Sequence, residues 1–539
     1  MAELDAGTLP PDAQLECDIC IIGSGAAGIT LAHRLLATGR NILLLESSLV
    51  DKRDPFATDQ REAVQRFEST SAEPARELLT QAVEKATEPA PEAWNADGHR
   101  YEDPDTQPLY EGEVTPEMGR IDPRFLLRSR IRVYGGTTNC WGGWTRTLSP
   151  IDFDRGDLNP AWVWPIDAAE LHPYYEAALE YCSLGHFNPY DYDRPEEWVG
   201  KTNPPIAVLP EATGVVRTGV FSIMNGNGPA IDGALDFQHV WGPDLIRSHN
   251  VTVVRNANVR RLETNGAGTA IARINAQTID RSVHPARPGN TFTVRAKHVV
   301  LAAGGIETIR LLLISGGIGN GSGHLGRNFM VHPLNTNAGR LSMTSRPSVE
   351  VQNFYSRWPE VELKGYQWPP RIFATYVPTD HTLRTVGIGN FRAKVDFSSG
   401  NINLNWEQVP NPASTIRLSS TRRDLFGDPD VLLDWRTTAL DAHTAEMAMT
   451  YTIAEVKKLG YASGGTSNPV ITAPGDHHMG ATRMSRDPRN GYVDGNCRSH
   501  EIENLYIASS SVFTTGGVSN PTLTIIALAV RLGDHLASL

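Results

Sequence analysis

Two stretches far apart in the chain carry residues whose types and spacing could do chemistry. The first is Gly23-Ser24-Gly25-Ala26-Ala27-Gly28, a glycine-rich turn, with the carboxylate of Glu46 following 18 residues after Gly28. The second is Gly475-Asp476-His477-His478-Met479-Gly480, joined further on by Asn520-Pro521-Thr522. Imidazoles give and take protons near neutral pH. A histidine in a glycine-flanked loop also has little packing reason to be there. The residues alone do not separate His477 from His478, and a purely structural use of either stays open. Asn520-Pro521-Thr522 reads as a turn and cap ahead of an apolar helix, a place from which polar groups are aimed at a ligand.

The elements around the first stretch form a β-α-β unit. Asp18-Ile19-Cys20-Ile21-Ile22 is short and rich in β-branched residues, as in a buried parallel strand. Apolar residues then recur at helical spacing to Gly39, and residues 41–46 read as a second strand ending on Glu46. Gly23 permits the tight turn, Gly25 a close approach by a pyrophosphate, and Gly28 close packing of helix on strand. Glu46 is placed to accept hydrogen bonds from a ribose, and its charge disfavours a 2′-phosphate. The unit therefore predicts a dinucleotide other than NADP.

Five further stretches belong with it. Gly135-Gly136-Thr137-Thr138-Asn139-Cys140-Trp141-Gly142-Gly143 implies a backbone pressed against a flat polar ligand, with Thr138 and Asn139 able to hydrogen-bond it. Residues 297–305 read as another parallel strand, with a close backbone approach at Ala303 and Gly304 before a helix over 306–314. Short strands are expected around 251–254, 258–259 and 291–294. The nucleotide domain is thus discontinuous, predicted to comprise 15–50, 120–155, 240–327 and 470–539.

A chain of 539 residues exceeds one simple core, and its 40% hydrophobic and 20% charged residues mark an ordinary globular protein. The net charge of −12 argues against nucleic acid or an anionic membrane as partner. Five scattered cysteines make no disulfide framework, and the Cys17/Cys20 pair sits at a strand entry without a second pair. Residues 1–14 lack the apolar core of a signal peptide, and 525–530 is too short to span a bilayer, so a cytoplasmic enzyme without a metal site is expected.

Residues 51–119 change character: acidic, proline-containing and poor in apolar residues save a possible helix over 72–86. This insertion reads as a lid, an oligomer-contact arm or a solvated loop. A second domain is predicted over 156–239 and 328–469, with a helix over 168–181, an antiparallel sheet that includes 402–406 and 415–418, and a helix over 441–459.

These motifs resemble the glucose-methanol-choline (GMC) family of FAD-dependent oxidoreductases over most of the chain, in the branch of pyranose oxidases and glycoside 3-oxidases. The resemblance implies an α/β fold: a Rossmann-like FAD domain on a discontinuous parallel sheet, with an α+β substrate domain on a mostly antiparallel sheet. In that family the catalytic histidine stands seven residues before the methionine corresponding to Met484, which selects His477, and its partner falls on Asn520. By the same resemblance Gly135, Gly136, Thr138, Asn139 and Trp141 serve the flavin, Val259 its adenine side, and Ser510, Pro521 and Thr522 its ring edge. Cys140 stands where pyranose oxidases carry a histidine bonded to the flavin, so non-covalent FAD is expected. Asp430 and Asp434 correspond to sugar-contacting residues, and His332 is given a structural role only.

The implied reaction oxidises a secondary hydroxyl of a sugar or glycoside, at C3 or C2 of a pyranose, to a ketone. His477 removes the hydroxyl proton, hydride passes to flavin N5, and O2 is reduced to H2O2. No compact cysteine set is present for an iron-sulfur cluster, which favours a stand-alone enzyme, with a homo-oligomer as an option. The rivals are a dehydrogenase with a quinone or protein acceptor, a lyase of the same fold, and a non-catalytic flavoprotein.

Overall fold

The computed structural model describes residues 3–49, 109, 111–139, 141–185, 187–224, 237–283, 285–356, 361–365 and 369–539. Most of the acidic insertion, including its expected helix, lies outside the described residues, as does Cys140.

The runs that read as buried strands from their β-branched content assemble into one parallel sheet. Its order is Glu3–Asp5, Val251–Arg255, Ile42–Leu45, Ala13–Ile22, Arg287–Leu301 and Leu505–Ile507, every neighbouring pair parallel. Ile19 to Ile21, Leu44 and Val300 are buried, as strands covered on both faces require. The strands come from three separate stretches of chain, and Ile271–Asp280 and Asn258–Thr264 extend the sheet as an antiparallel meander. Helices Ala26–Arg34, Gly304–Ile314 and Thr522–Ser538 start near the carboxyl ends of the parallel strands. In open α/β sheets that is the end where ligands bind.

A nine-stranded, antiparallel sheet stands apart from the first. Its main path runs Ala462–Ser467, Leu334–Met343, Asn401–Trp406, Phe391–Val395, Arg371–Pro378, Glu362–Leu363 and Thr202–Asn203, with Val216–Ile223 paired to Arg371–Pro378 and to Trp144–Thr145. Strict alternation in Asn401–Trp406 buries Ile402, Leu404 and Trp406 and turns the asparagines to the other face.

One expectation needs correction. Thr415–Arg423 does not join Asn401–Trp406. It belongs to a third, five-stranded sheet ordered Met479–Ala481, Arg327–Met330, Thr415–Arg423, Pro429–Asp434 and Glu113–Val114. Alternation identifies a strand but not its partner, and here long-range pairing decided. The described end of the 51–119 segment, Glu113–Val114, is the edge strand of that sheet and pairs parallel with Leu432 and Leu433. The helix Ala168–Tyr181 has the expected bounds, with Asp167 as N-cap accepting from the Glu170 amide at 2.8 Å. Its Tyr175 hydroxyl meets Thr524 of the C-terminal helix at 2.8 Å, on the nucleotide side of the molecule. Among the described residues no helix is long and apolar enough to cross a membrane.

Candidate active site

A cavity of about 650 Å³ opens at the carboxyl ends of the parallel strands and is walled partly by the nine-stranded sheet. Gly23 to Ala27 line it where the Ala26–Arg34 helix begins, so backbone amides of a helix N-terminus face the space. The three glycines of the turn differ in what surrounds them. A Cβ on Gly28 would lie 1.9 Å from the Gly23 carbonyl oxygen, whereas one on Gly25 would meet nothing within 4 Å. Gly28 is a packing glycine, absent from the cavity wall, and Gly25 leaves open the room that a phosphate needs.

Glu46 also lines the cavity, and its carboxylate accepts from the Ser24 hydroxyl and, at 2.9 Å, from the Ser48 amide. Nearby, both side-chain polar atoms of Asn258 are buried without a protein partner, although the residue lines the cavity. Orphaned amides carry a desolvation penalty that a polar ligand edge removes. Val259, Ala303 and Gly304 complete this end of the wall.

Gly136, Thr138 and Trp141 line the cavity as well, and Gly136 presses on the first turn, its Cβ direction 3.0 Å from Gly25 Cα. Gly135 and Asn139 do not line it. The Gly135 amide donates to the Ser24 carbonyl at 3.1 Å, and Asn139 Nδ2 donates to the carbonyls of Tyr134 and Gly136 at 2.9 and 2.8 Å. These two shape the loop that Thr138 and Gly136 present. Ser510, Pro521 and Thr522 lie on the wall at the start of the C-terminal helix.

The second constellation comes together across three elements. His477 Nε2 is 3.1 Å from Asn520 Nδ2, and His477 Nδ1 is 2.7 Å from Nδ1 of His332. The far nitrogen of His332, Nε2, is 2.9 Å from the Gly517 carbonyl oxygen. At the other end Arg392 Nη1 donates to Asn520 Oδ1 at 2.8 Å. Both ends of this chain have one possible role: a carbonyl only accepts and a guanidinium only donates. His332 therefore carries its proton on Nε2 and accepts at Nδ1. His477 donates from Nδ1, which leaves Nε2 bare. Asn520 is held with its oxygen on Arg392 and its NH2 toward that bare nitrogen.

The electrostatics agree with this chain of neutral imidazoles. Burial, then the neighbouring His332, Arg392 and His478, holds the His477 pKa well below the usual imidazole value. Burial and Arg392 push His332 down to about 3. His478 faces away: its Nε2 meets the Ser129 hydroxyl at 2.9 Å, and burial followed by Arg130 and Arg128 brings it down to about 3. Its carbonyl accepts from the Ser510 hydroxyl at 2.6 Å. Of the two adjacent imidazoles, His477 is the one beside Asn520.

Asp430 and Asp434 are not on the cavity wall. Both lie on Pro429–Asp434, in the five-stranded sheet. Asp430 is buried and accepts from the amides of Gly112 and Val431, each at 2.8 Å. Asp434 is bound by Arg417 and Arg436 at 2.9 Å each. The sequence reading missed Arg392, Asn258 and the contact made by His332. Alternation in Phe391–Val395 was the available signal for Arg392, since it places Arg392 and Lys394 on the face opposite Phe391, Ala393 and Val395.

Models of the two GMC oxidoreductase domains match residues 235–334 and 410–529. The chain carries both GMC oxidoreductase domains. This GMC chain is 24% identical to the fructose dehydrogenase large subunit of Gluconobacter japonicus over 97% of its length and 98% of that protein. It is 31% identical to the C-glycoside 3-oxidase of Arthrobacter globiformis over 127 residues, 23% of this chain and 24% of that one. A solved structure of an FAD-dependent oxidoreductase from Chaetomium thermophilum shares the fold with a TM-score of 0.57 and 15% identity, over 96% of this chain and 98% of that one. The Chaetomium enzyme is FAD-dependent, and the two relatives are named as a dehydrogenase and an oxidase. The open space at Gly25, the helix N-terminus behind it and the orphaned Asn258 amide fit a dinucleotide of this size.

Proposed function

We propose that this enzyme oxidises a secondary hydroxyl of a sugar or glycoside, at C3 or C2 of a pyranose, to the ketone, with O2 as electron acceptor. The observation that carries the reading is the bare Nε2 of His477, set 3.1 Å from the Asn520 amide on the cavity wall. A hydroxyl entering there donates to His477 Nε2 and accepts from Asn520 Nδ2. His477 takes the proton as the C–H bond weakens, because an alcohol is a poor hydride donor until its O–H proton leaves. Asn520 does not titrate and fixes the oxygen.

FAD, when bound, supplies the two-electron acceptor for the hydride. In this reading Gly23, Ser24, Gly25, Ala26 and Ala27 hold its pyrophosphate. Glu46 takes the ribose, Val259 with Asn258 the adenine side, and Gly136, Thr138, Trp141, Ala303, Gly304, Ser510, Pro521 and Thr522 the remainder. The full-length likeness to a fructose dehydrogenase large subunit favours a second reading, the same half-reaction with a quinone or protein acceptor. Anaerobic mixing with sugars and glycosides followed by air separates the two. Rapid recolouring with peroxide supports the oxidase, and colour that stays bleached supports the dehydrogenase.

A further inference from the structure

The nine-stranded sheet gives the cavity a wall of unusual charge. Arg392 and Lys394 alternate on Phe391–Val395 and both line the cavity. In register on the next strand stand Asn405 opposite Arg392 and Asn403 opposite Lys394, also on the wall. Phe373 and Thr375 flank them from Arg371–Pro378. This patch carries two cations, two amides, a hydroxyl and a ring, and no carboxylate. The carboxylates that do line the cavity, Glu46, Glu307 and Asp476, come from other parts of the chain. Glu307 is bound by Arg130, Arg132 and Arg310, and Asp476 by Arg128 at 2.7 Å.

Arg392 is 5% exposed, and its guanidinium lies over the rings of Phe221 and Trp144 at 4.6 and 5.0 Å. Among the described residues its hydrogen bond is the one to Asn520, and no carboxylate is paired with it. Burial and the neighbouring Arg146 lower its pKa to about 9, with no carboxylate raising it. Among the described residues none of its nitrogens is sealed in protein without a partner, and the residue lines the cavity. Lys394 lies 5.0 Å from the Phe373 ring centre, and burial lowers it to about 8. The Arg392 guanidinium, buried with no carboxylate beside it, is costly until an anion enters. A neutral sugar is gripped best by carboxylate acceptors, which this wall lacks.

We infer that the substrate is a sugar acid: a hydroxyl-bearing ring whose carboxylate docks on Arg392 and Lys394 while its reacting hydroxyl meets His477 and Asn520. A planar carboxylate matches the fork of a guanidinium, and the neighbouring amides of Asn403 and Asn405 serve the ring hydroxyls. This inference rests on the reading of the site as a sugar-oxidising one and narrows its substrate class.

Binding is measured first, because it needs no turnover. Oxidised holoenzyme is titrated with methyl glucosiduronate and methyl galactosiduronate, each beside its neutral methyl glycoside, following flavin absorbance and heat. In at least one pair the acid binds ten-fold or more tighter than its neutral counterpart. Arg392→Met and Lys394→Met each cut that ratio several-fold, and Arg392→Lys retains part of it. Equal or weaker binding of the acid in both pairs overturns the inference. So does a loss in Arg392→Met that is the same for acid and neutral ligands, since Arg392 would then act only through Asn520. Failure of every acid and neutral glycoside to bleach the flavin anaerobically strikes instead at the proposed reaction, and the binding ratio still decides the inference.

Discussion

His332 and His477 face each other through their Nδ1 atoms at 2.7 Å, and this contact determines which nitrogen of His477 is free to take a proton. The Gly517 carbonyl fixes the proton of His332, His332 fixes that of His477, and Arg392 fixes the amide of Asn520. The backbone behind Gly517 is itself held: Glu407 accepts from the amides of Gly516 and Gly517 at 3.2 and 2.9 Å. The proposed base is thus oriented by a continuous set of hydrogen bonds running into the core.

Removing the Nδ1 acceptor frees the tautomer of His477. His332→Ala is expected to slow anaerobic flavin reduction by roughly 10-fold or more, the scale on which positioning of a general base matters. His332→Gln, which keeps a donor toward Gly517 and an acceptor toward His477, recovers part of the rate. The pH profile of reduction shifts in the alanine variant and stays close to wild type in the glutamine one. Equal damage in both variants with an unchanged profile would mean that His332 only packs.

Buried His332 and the half-buried His477 and His478 make stability depend on acid. His332 and His478 are held at about 3 and His477 is also lowered, against an ordinary value near 6.5. On unfolding in acid each takes up a proton that the folded chain refuses. Their contribution is therefore fully present above about pH 6.5 and is lost as pH falls toward about 3. Denaturant midpoints measured between pH 7 and pH 5 should fall, and His478→Gln should fall less steeply than the parent.

Asp430→Ala leaves the Gly112 amide without its acceptor inside the protein, which costs about 1–3 kcal/mol. Its thermal midpoint drops while the flavin reduction rate and the substrate dependence stay those of the parent. A raised KM with unchanged stability would return Asp430 to the substrate site.

The glycine turn separates binding from folding. Gly25→Ala adds a methyl to open space and is expected to weaken FAD at little cost to the fold, whereas Gly28→Ala sets a Cβ 1.9 Å from the Gly23 carbonyl and destabilises the apoprotein. FAD affinity and the apoprotein melting temperature, read side by side for both variants, check this.

What the sequence made legible was local or carried by family motifs. The β-α-β unit around Gly23 to Glu46, the helix Ala168–Tyr181 and the strand Asn401–Trp406 follow from periodicity and caps, which neighbours in the chain decide. The meeting of His477 with Asn520 was expected from motif order. The sheet that holds Asp430 and Asp434 was not legible, because a strand pattern does not say which sheet receives it, and the five-stranded sheet took this one. Arg392 stayed hidden because an arginine alternating on a strand looks like a solvated face until the rings of Trp144 and Phe221 close over it. The contact between His332 and His477 joins positions 145 residues apart, and only the assembled fold brings them together.

The most direct test of the central claim is anaerobic stopped-flow reduction of the wild-type holoenzyme and of His477→Ala by a panel of sugars, sugar acids and glycosides. At least one is expected to bleach the wild-type flavin, and His477→Ala, with FAD still bound, to bleach ~10²-fold more slowly or worse. Bleaching at the same rate in both proteins, or none by any member of the panel, would contradict it.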